Sequence, residues 1–242
     1  MNNPFGTPKN QFLDSVRKAL GRTKGPPNEI YPLLNETLST IKKRKEEAEQ
    51  RISRKKDFLI TELTRTAQLV GWNVKTVQNT AAVLTYIREL LNKHKINKVI
   101  RTDEKIFETV EIDRELMDSR ADLMVNTQSS VQKFDPDTAE LGITGADHAI
   151  AETGSVVLVS QKGSARLTSL TPSIHLALVK RSVILESLED IYLFTRLEYY
   201  SGKEGKYMTF ISGPSRTADI EQVLVVGAHG PKETHMLILD WD

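Results

Sequence analysis

Cysteine is absent from all 242 residues. That excludes a disulfide, a thiolate nucleophile and a cysteine-ligated iron–sulfur cluster within this chain. An excess of charge of one sign is missing too. With 33 basic and 32 acidic residues the formal net charge is +1, too small a field to gather nucleic acid or an anionic membrane. No apolar run approaches the ~20 residues of a membrane span, and the opening Met1-Asn-Asn-Pro-Phe-Gly6 lacks the charged and apolar regions of a signal peptide. We therefore expect a cytosolic protein. Neither a Walker loop nor G-x-G-x-x-G occurs, so the usual nucleotide fingerprints are excluded.

What is present is the composition of an ordinary globular protein, 39% hydrophobic and 27% charged, long enough for one large domain or two small ones. Residues 1–30 read as an appended helical arm and linker. Phe12, Leu13, Val16, Ala19 and Leu20 share a helical face, Gly21 is placed to cap it, and Gly25-Pro-Pro-Asn28 breaks the chain. This arm either docks on its own domain or reaches a partner. Residues 31–242 read as a single α/β domain.

That domain opens with one long amphipathic helix, Leu33 to Val70, striped by Leu34, Leu38, Ile41, Ala48, Ile52, Leu59 and Leu63 and stopped by Gly71. The basic cluster Lys42–Lys45 and Arg51–Lys56 has glutamates at i,i+4 distance, Lys42 to Glu46 and Glu47 to Arg51, and no interleaved aromatics. It reads as a solvated face rather than a nucleic-acid surface. Beyond it, strands are expected at Trp72–Val77, Lys98–Arg101, Asp122–Val125, Val156–Ser160, Ile174–Val179, Tyr207–Ile211, Val223–Val226 and Met236–Leu239. Helices are expected at Thr80–His94, around Arg114–Met117 and at Leu188–Tyr199, with a helical turn at Asp137–Leu141. The alternation predicts a mainly parallel, mixed sheet flanked by helices.

Three polar segments that read as loops abut the apolar runs. Gly142 to Ser155 packs three glycines, two acids, a histidine and three hydroxyls into fourteen residues. Ser212-Gly-Pro-Ser-Arg-Thr-Ala-Asp219 follows one strand and Gly227-Ala-His-Gly-Pro231 follows another. Glycines let backbone N–H groups approach a ligand, and hydroxyls and carboxylates converge on it. We expect the three to rim one pocket. Candidate substrate- or anion-binding residues are Gly145, Asp147, Thr153, Gly154, Ser155, Ser212, Gly213, Ser215, Arg216, Thr217, Asp219 and Gly230. The second segment has the clearest logic: Ser215 or Thr217 caps a following helical turn, whose free N–H groups beside Arg216 suit a carboxylate or phosphate. The alternative is a capped turn with Arg216 in solvent. His229, flanked by Gly227 and Gly230, is the best placed of five histidines for an imidazole at work, whereas His175 reads as a core histidine. No zinc spacing is present, and no metal is expected.

The ordered motifs Gly-Ile-Thr-Gly-Ala-Asp-His-Ala-Ile-Ala-Glu-Thr-Gly-Ser155, Pro172-Ser-Ile-His175, Ser-Gly-Pro-Ser-Arg-Thr-Ala-Asp-Ile-Glu221 and Gly-Ala-His-Gly-Pro-Lys-Glu-Thr-His235 resemble the lactate-utilization protein C family, built on the LUD domain. The resemblance runs over nearly the whole chain. It implies a part in oxidising L-lactate to pyruvate beside two partner proteins that carry iron–sulfur clusters, with no cofactor in this chain. It also implies a fold like that of sugar-phosphate isomerases, CoA-transferases and formyltetrahydrofolate cyclo-ligase. From the CoA-transferase relatives, Glu152 beside its glycine turn becomes a candidate nucleophile. The alternatives are a ligand contact or an acceptor that fixes the turn. Asp147 is either its acid–base companion or a turn former. The competing function is a free-standing enzyme of acyl, phosphosugar or one-carbon chemistry using the same pocket.

Overall fold

A computed structural model describes residues 9–21, 36–126, 138–159, 167–200, 207–218 and 224–241. They belong to two units, Met1–Ile41 and Lys42–Asp242. In the first, α1 (Lys9–Ala19) ends where Gly21 takes a left-handed φ of 65°, its expected stop. The Gly25–Asn28 linker lies outside the described residues.

The single helix expected up to Val70 is two, α2 (Leu38–Arg54) and α3 (Lys56–Val70), broken at Lys55. No proline or glycine marks the break. It sets Lys55 on Glu186 at 2.7 Å and Lys56 on the carbonyls of Ser182 and Ile184, distant partners that local periodicity does not carry. The α2 basic face is laced as expected, although with shifted partners. Lys43 and Lys45 meet Glu47 and Glu49, while Arg51 instead reaches across to Glu186 and Asp190. At Gly71 (φ 104°) the N–H of Trp72 returns to the Ala67 carbonyl and that of Gly71 to Gln68, closing α3 with a Schellman motif.

Thereafter β1 (Asn73–Val77), α4 (Thr80–His94), β2 (Lys98–Thr102), α5 (Ile106–Val110), α6 (Ile112–Asp118) and β3 (Asp122–Asn126) alternate. Asn79 caps α4 by accepting the Ala82 N–H at 2.9 Å. The remaining elements are β4 (Leu141–Gly145), β5 (His148–Ile150), β6 (Ser155–Val159), α7 (Leu167–Leu170), β7 (Ile174–Lys180), β8 (Ile184–Leu185), α8 (Leu188–Tyr200), β9 (Met208–Ile211), β10 (Arg216–Thr217), β11 (Val225–Val226) and β12 (Glu233–Leu239).

Six strands form a wholly parallel sheet in the order β1-β12-β7-β4-β2-β3. Its inner strands are near-continuous apolar runs because both faces are covered. Leu176, Leu178, Leu237 and Leu239 point into a core shared with α4, α5 and α6. Ala177, Val179, Met236 and Ile238 point the other way, into a core built by α3 and by β5, β6 and β8. Each fully buried leucine or isoleucine contributes about 1.5–3 kcal/mol relative to exposure.

Two expectations need correction. The polar stretch 142–155 is not one loop: it is β4, β5, a tight turn and the first residue of β6, and Leu141, expected in a helical turn, begins β4. Gly142 is there because α7 crosses close above it, so that a Cβ would run into the Thr168 carbonyl. Nor do the late strands extend the main sheet, apart from β12. β9 joins a separate four-stranded sheet, β8-β5-β6-β9, and β10 pairs only with β11.

Candidate functional site

In a parallel sheet, ligand sites form beyond the carboxyl ends of the strands, where successive connections leave in opposite directions. Here that point lies between β2 and β4. From β2 the chain moves outward to the edge strand β3, and from β4 it moves the other way to β7 and β12. The residues that emerge are Thr102, Asp103 and Glu104 after β2, and Gly145, Ala146 and Asp147 at the end of β4.

Glu104 spans the crevice. Its Oε2 accepts the Thr102 hydroxyl at 2.9 Å and the Gly145 N–H at 2.5 Å. Burial pushes its carboxyl up to about 7, and the Asp147 charge adds to this, while the bonds from Thr102 and Gly145 and the charge of Arg101 oppose it. Gly145 is required by this approach, because a Cβ would collide with the Glu104 carboxylate and press on Ile106. Beside it, buried Arg101 is locked in a bidentate pair with Asp113 (2.7 and 2.6 Å) and lies over the Phe107 ring. Asp147 is also held, its Oδ2 accepting the Val159 N–H at 2.7 Å. A carboxyl with one oxygen fixed by two donors, titrating near neutrality, is equipped to take up and release a proton through Oε1.

Of the residues singled out from the sequence, Gly145 and Asp147 belong to this crevice. Glu152 does not. Its Oε2 accepts the Leu188 N–H at 3.2 Å at the start of α8, and it lines a cavity of about 620 Å³ together with Arg51, Leu59, Glu186 and Leu193. Thr153 donates to Ser155 Oγ (2.8 Å), which shares a hydrogen bond with Ser212 Oγ (2.6 Å). Gly154 (φ 65°) and Gly213 (φ 89°) lie against the backbone of α3, at Thr66–Ala67 and at Val70 respectively.

Ser215 is pinned by backbone bonds to Pro231 and Gly227, and Gly230 faces its side chain. Arg216 reaches the Val70 carbonyl at 3.4 Å, and Thr217 pairs with Val225 in β10–β11. Arg216 and Thr217 are therefore strand residues, which removes a helical turn capped by Ser215, while a turn capped by Thr217 would fall outside the described residues. Asp219 lies outside the described residues. His229 is exposed in the segment that enters β12 at its amino end, where Lys232 donates to the Ser173 carbonyl ahead of β7. The three polar segments therefore meet only in part: Thr153 and Ser155 join the 212–217 segment through Ser212, and that segment joins 227–231 through Ser215, while the rest of the first segment lies elsewhere. Gly145 and Asp147 stand at the carboxyl end of the main sheet, and the 227–231 segment stands at its amino end.

His175 is a core histidine, as expected: fully buried, bonded through Nε2 to Thr144 Oγ1 at 3.0 Å, and driven down to about 3 by burial. Among the described residues no cluster of three or more histidine, aspartate or glutamate side chains is arranged to hold a metal ion, and no helix is long and apolar enough to cross a membrane. Glu104 escaped the sequence reading. Its only signal is position, since Thr102-Asp103-Glu104 directly follows the apolar pair Val99-Ile100 of a strand.

Comparison with known proteins places this arrangement in context. Lactate utilization protein C of Shouchella clausii is 28% identical over 96% of this chain and 97% of its own length. The protein of that name from a Geobacillus strain is 31% identical over 72% of this chain and 76% of its own. The crystal structure of a DUF162 family protein from Deinococcus radiodurans, 17% identical, superposes with a TM-score of 0.52 over 76% of this chain and 98% of that one, and so shares the fold. Residues 60–239, which run from α3 through β12 and contain the whole parallel sheet, match the LUD domain model, and the chain belongs to the LUD domain family.

Proposed function

We propose that this protein serves lactate utilization by handling a proton of the hydroxy acid at the β2–β4 crevice, while electrons leave through iron–sulfur partner proteins. The observation that carries this reading is Glu104, a half-buried carboxyl poised near neutrality where an open parallel sheet binds its ligands. The relatives named lactate utilization protein C support the choice of pathway. Oxidation of L-lactate to pyruvate removes two electrons and two protons. A chain without cysteine offers no thiol pair for the electrons, whereas Glu104 Oε1 suits a proton from the substrate hydroxyl. Thr102 and Gly145 keep Oε2 fixed, so the proton-carrying oxygen has one orientation.

The test is growth. Deleting the gene should abolish growth on lactate and spare growth on pyruvate. Complementation with the wild-type gene should restore it, and Glu104→Gln should not, although the variant protein accumulates and melts cooperatively. Glu152→Gln and Arg216→Ala, which lie away from the crevice, should complement. The purified chain alone should not oxidise lactate with artificial acceptors. Normal growth with Glu104→Gln would overturn the site, and lactate turnover by the isolated chain would overturn the division of labour.

A further inference from the structure

Glu152 belongs to a second concavity, apart from the crevice. This cavity of about 620 Å³ lies among α2, α3, the β5–β6 turn and the start of α8, and six carboxylates and two arginines line it. Five of those carboxylates are matched by cations of the chain. Glu47 faces Lys43, Glu62 faces Arg65 and Glu189 faces Arg44, while Arg51 bridges Glu186 and Asp190, with Lys55 also on Glu186. Glu152 has no such partner among the described residues. Its carboxylate accepts the Leu188 N–H at 3.2 Å and meets no cation. The turn that carries it is fixed by backbone bonds, from the Ala151 N–H to the Leu185 carbonyl and from the Glu152 N–H to that of Glu186, both 3.0 Å. Beside the charges the lining is apolar: Ala48, Leu59 and Ala151 are each 1% exposed and Leu193 is 8% exposed. Phe58 also lines the cavity and leaves 60% of its surface open.

We propose that this cavity binds an organic cation, one ammonium or guanidinium group carried on an apolar body, with Glu152 as its counter-ion. The charges select the sign. The chain matches the other carboxylates itself, so one acid is left for one positive group, and an anion would meet repulsion. A neutral ligand would cover Glu152 without pairing it, which strips water from a carboxylate and gives no bond in exchange. A bare metal ion needs several oxygens at once, and all but one of these carboxylates are engaged elsewhere. The apolar lining selects the body, because hydrocarbon laid against Ala48, Leu59 and Leu193 leaves water. Small-molecule sites have this make-up: a cavity of a few hundred cubic ångströms, largely apolar, with few placed polar groups. Glu152 is thus a binding residue, separate from the proton chemistry assigned to Glu104.

The test uses the full chain and probes of similar shape but different charge: phenethylammonium, phenethyl alcohol and phenylpropionate. Each is titrated while the methyl NMR signals of Ala48 and Ala151 are followed. The ammonium should bind saturably and the carboxylate should not bind. The alcohol should bind about tenfold more weakly than the ammonium, or less, the difference made by one charge-assisted hydrogen bond. Glu152→Gln keeps the shape and removes the charge, so it should lower the affinity for the ammonium to that for the alcohol without moving the melting temperature. No saturable shift at the two methyls, equal binding of ammonium and alcohol, or undiminished ammonium binding by Glu152→Gln would each overturn the proposal. The first two outcomes are read on the wild type, so they decide whether or not the variant folds.

Discussion

Glu104 makes a pH signature that a glutamine in its place cannot. Its folded carboxyl titrates at about 7 against an ordinary value of 4.5. Between those values the native state holds a proton that the unfolded chain has released, so stability falls as pH rises from about 4.5 to 7 and levels off above. The difference is on the order of 3–4 kcal/mol, at about 1.4 kcal/mol per unit. Thermal melts of wild type and Glu104→Gln should therefore diverge in favour of the variant between pH 5 and pH 8. A gap that does not widen with pH would remove Glu104 from its half-buried, neutral role. None of this was legible in Thr102-Asp103-Glu104, which locally is a charged turn. Its meaning comes from β4 arriving beside β2 with a glycine, a pairing between segments some forty residues apart. His175 was legible because alternation along one strand suffices to bury it.

At the scale of elements, local signals were read well where they sufficed. The helix Thr80–His94 has its full bounds in the sequence, because an asparagine cap and a 3.6-residue stripe are both local. The glycines of 142–154 misled because packing and ligand approach ask the same of a glycine: no Cβ. Gly154 and Gly21 separate the two demands of φ and space. Both take φ 65°, yet a Cβ on Gly21 meets nothing within 4 Å, while one on Gly154 strikes the backbone of α3 at Ala67. Gly21→Ala should cost about 1–2 kcal/mol of local helix stability, the left-handed penalty alone. Gly154→Ala adds overpacking of about 1–3 kcal/mol to that penalty. Circular dichroism of an α1 peptide and urea denaturation of the full chain measure the two. Equal costs would mean that the β5–β6 turn does not rest on α3 as described.

Across the whole molecule, chain order and spatial order disagree at one place. β12, the last strand, lies between β1 and β7 and bonds to both, and Arg181 fastens the residue that follows it, Asp240, at 2.6 Å. During synthesis the first strand of the sheet therefore waits without a neighbour until residue 239 has left the ribosome. Long-range pairing of this kind is slow and leaves strand edges open to wrong partners in the meantime. A nascent chain stalled with residues 233–242 still in the exit tunnel should be cleaved readily by protease near β1, and release of those ten residues should confer resistance. Protection before release would show that β1 finds another partner first. For a cell, the position of one strand makes this protein a client of whatever shields unfinished chains, because until β12 is in place β1 and β7 lack the strand that joins them.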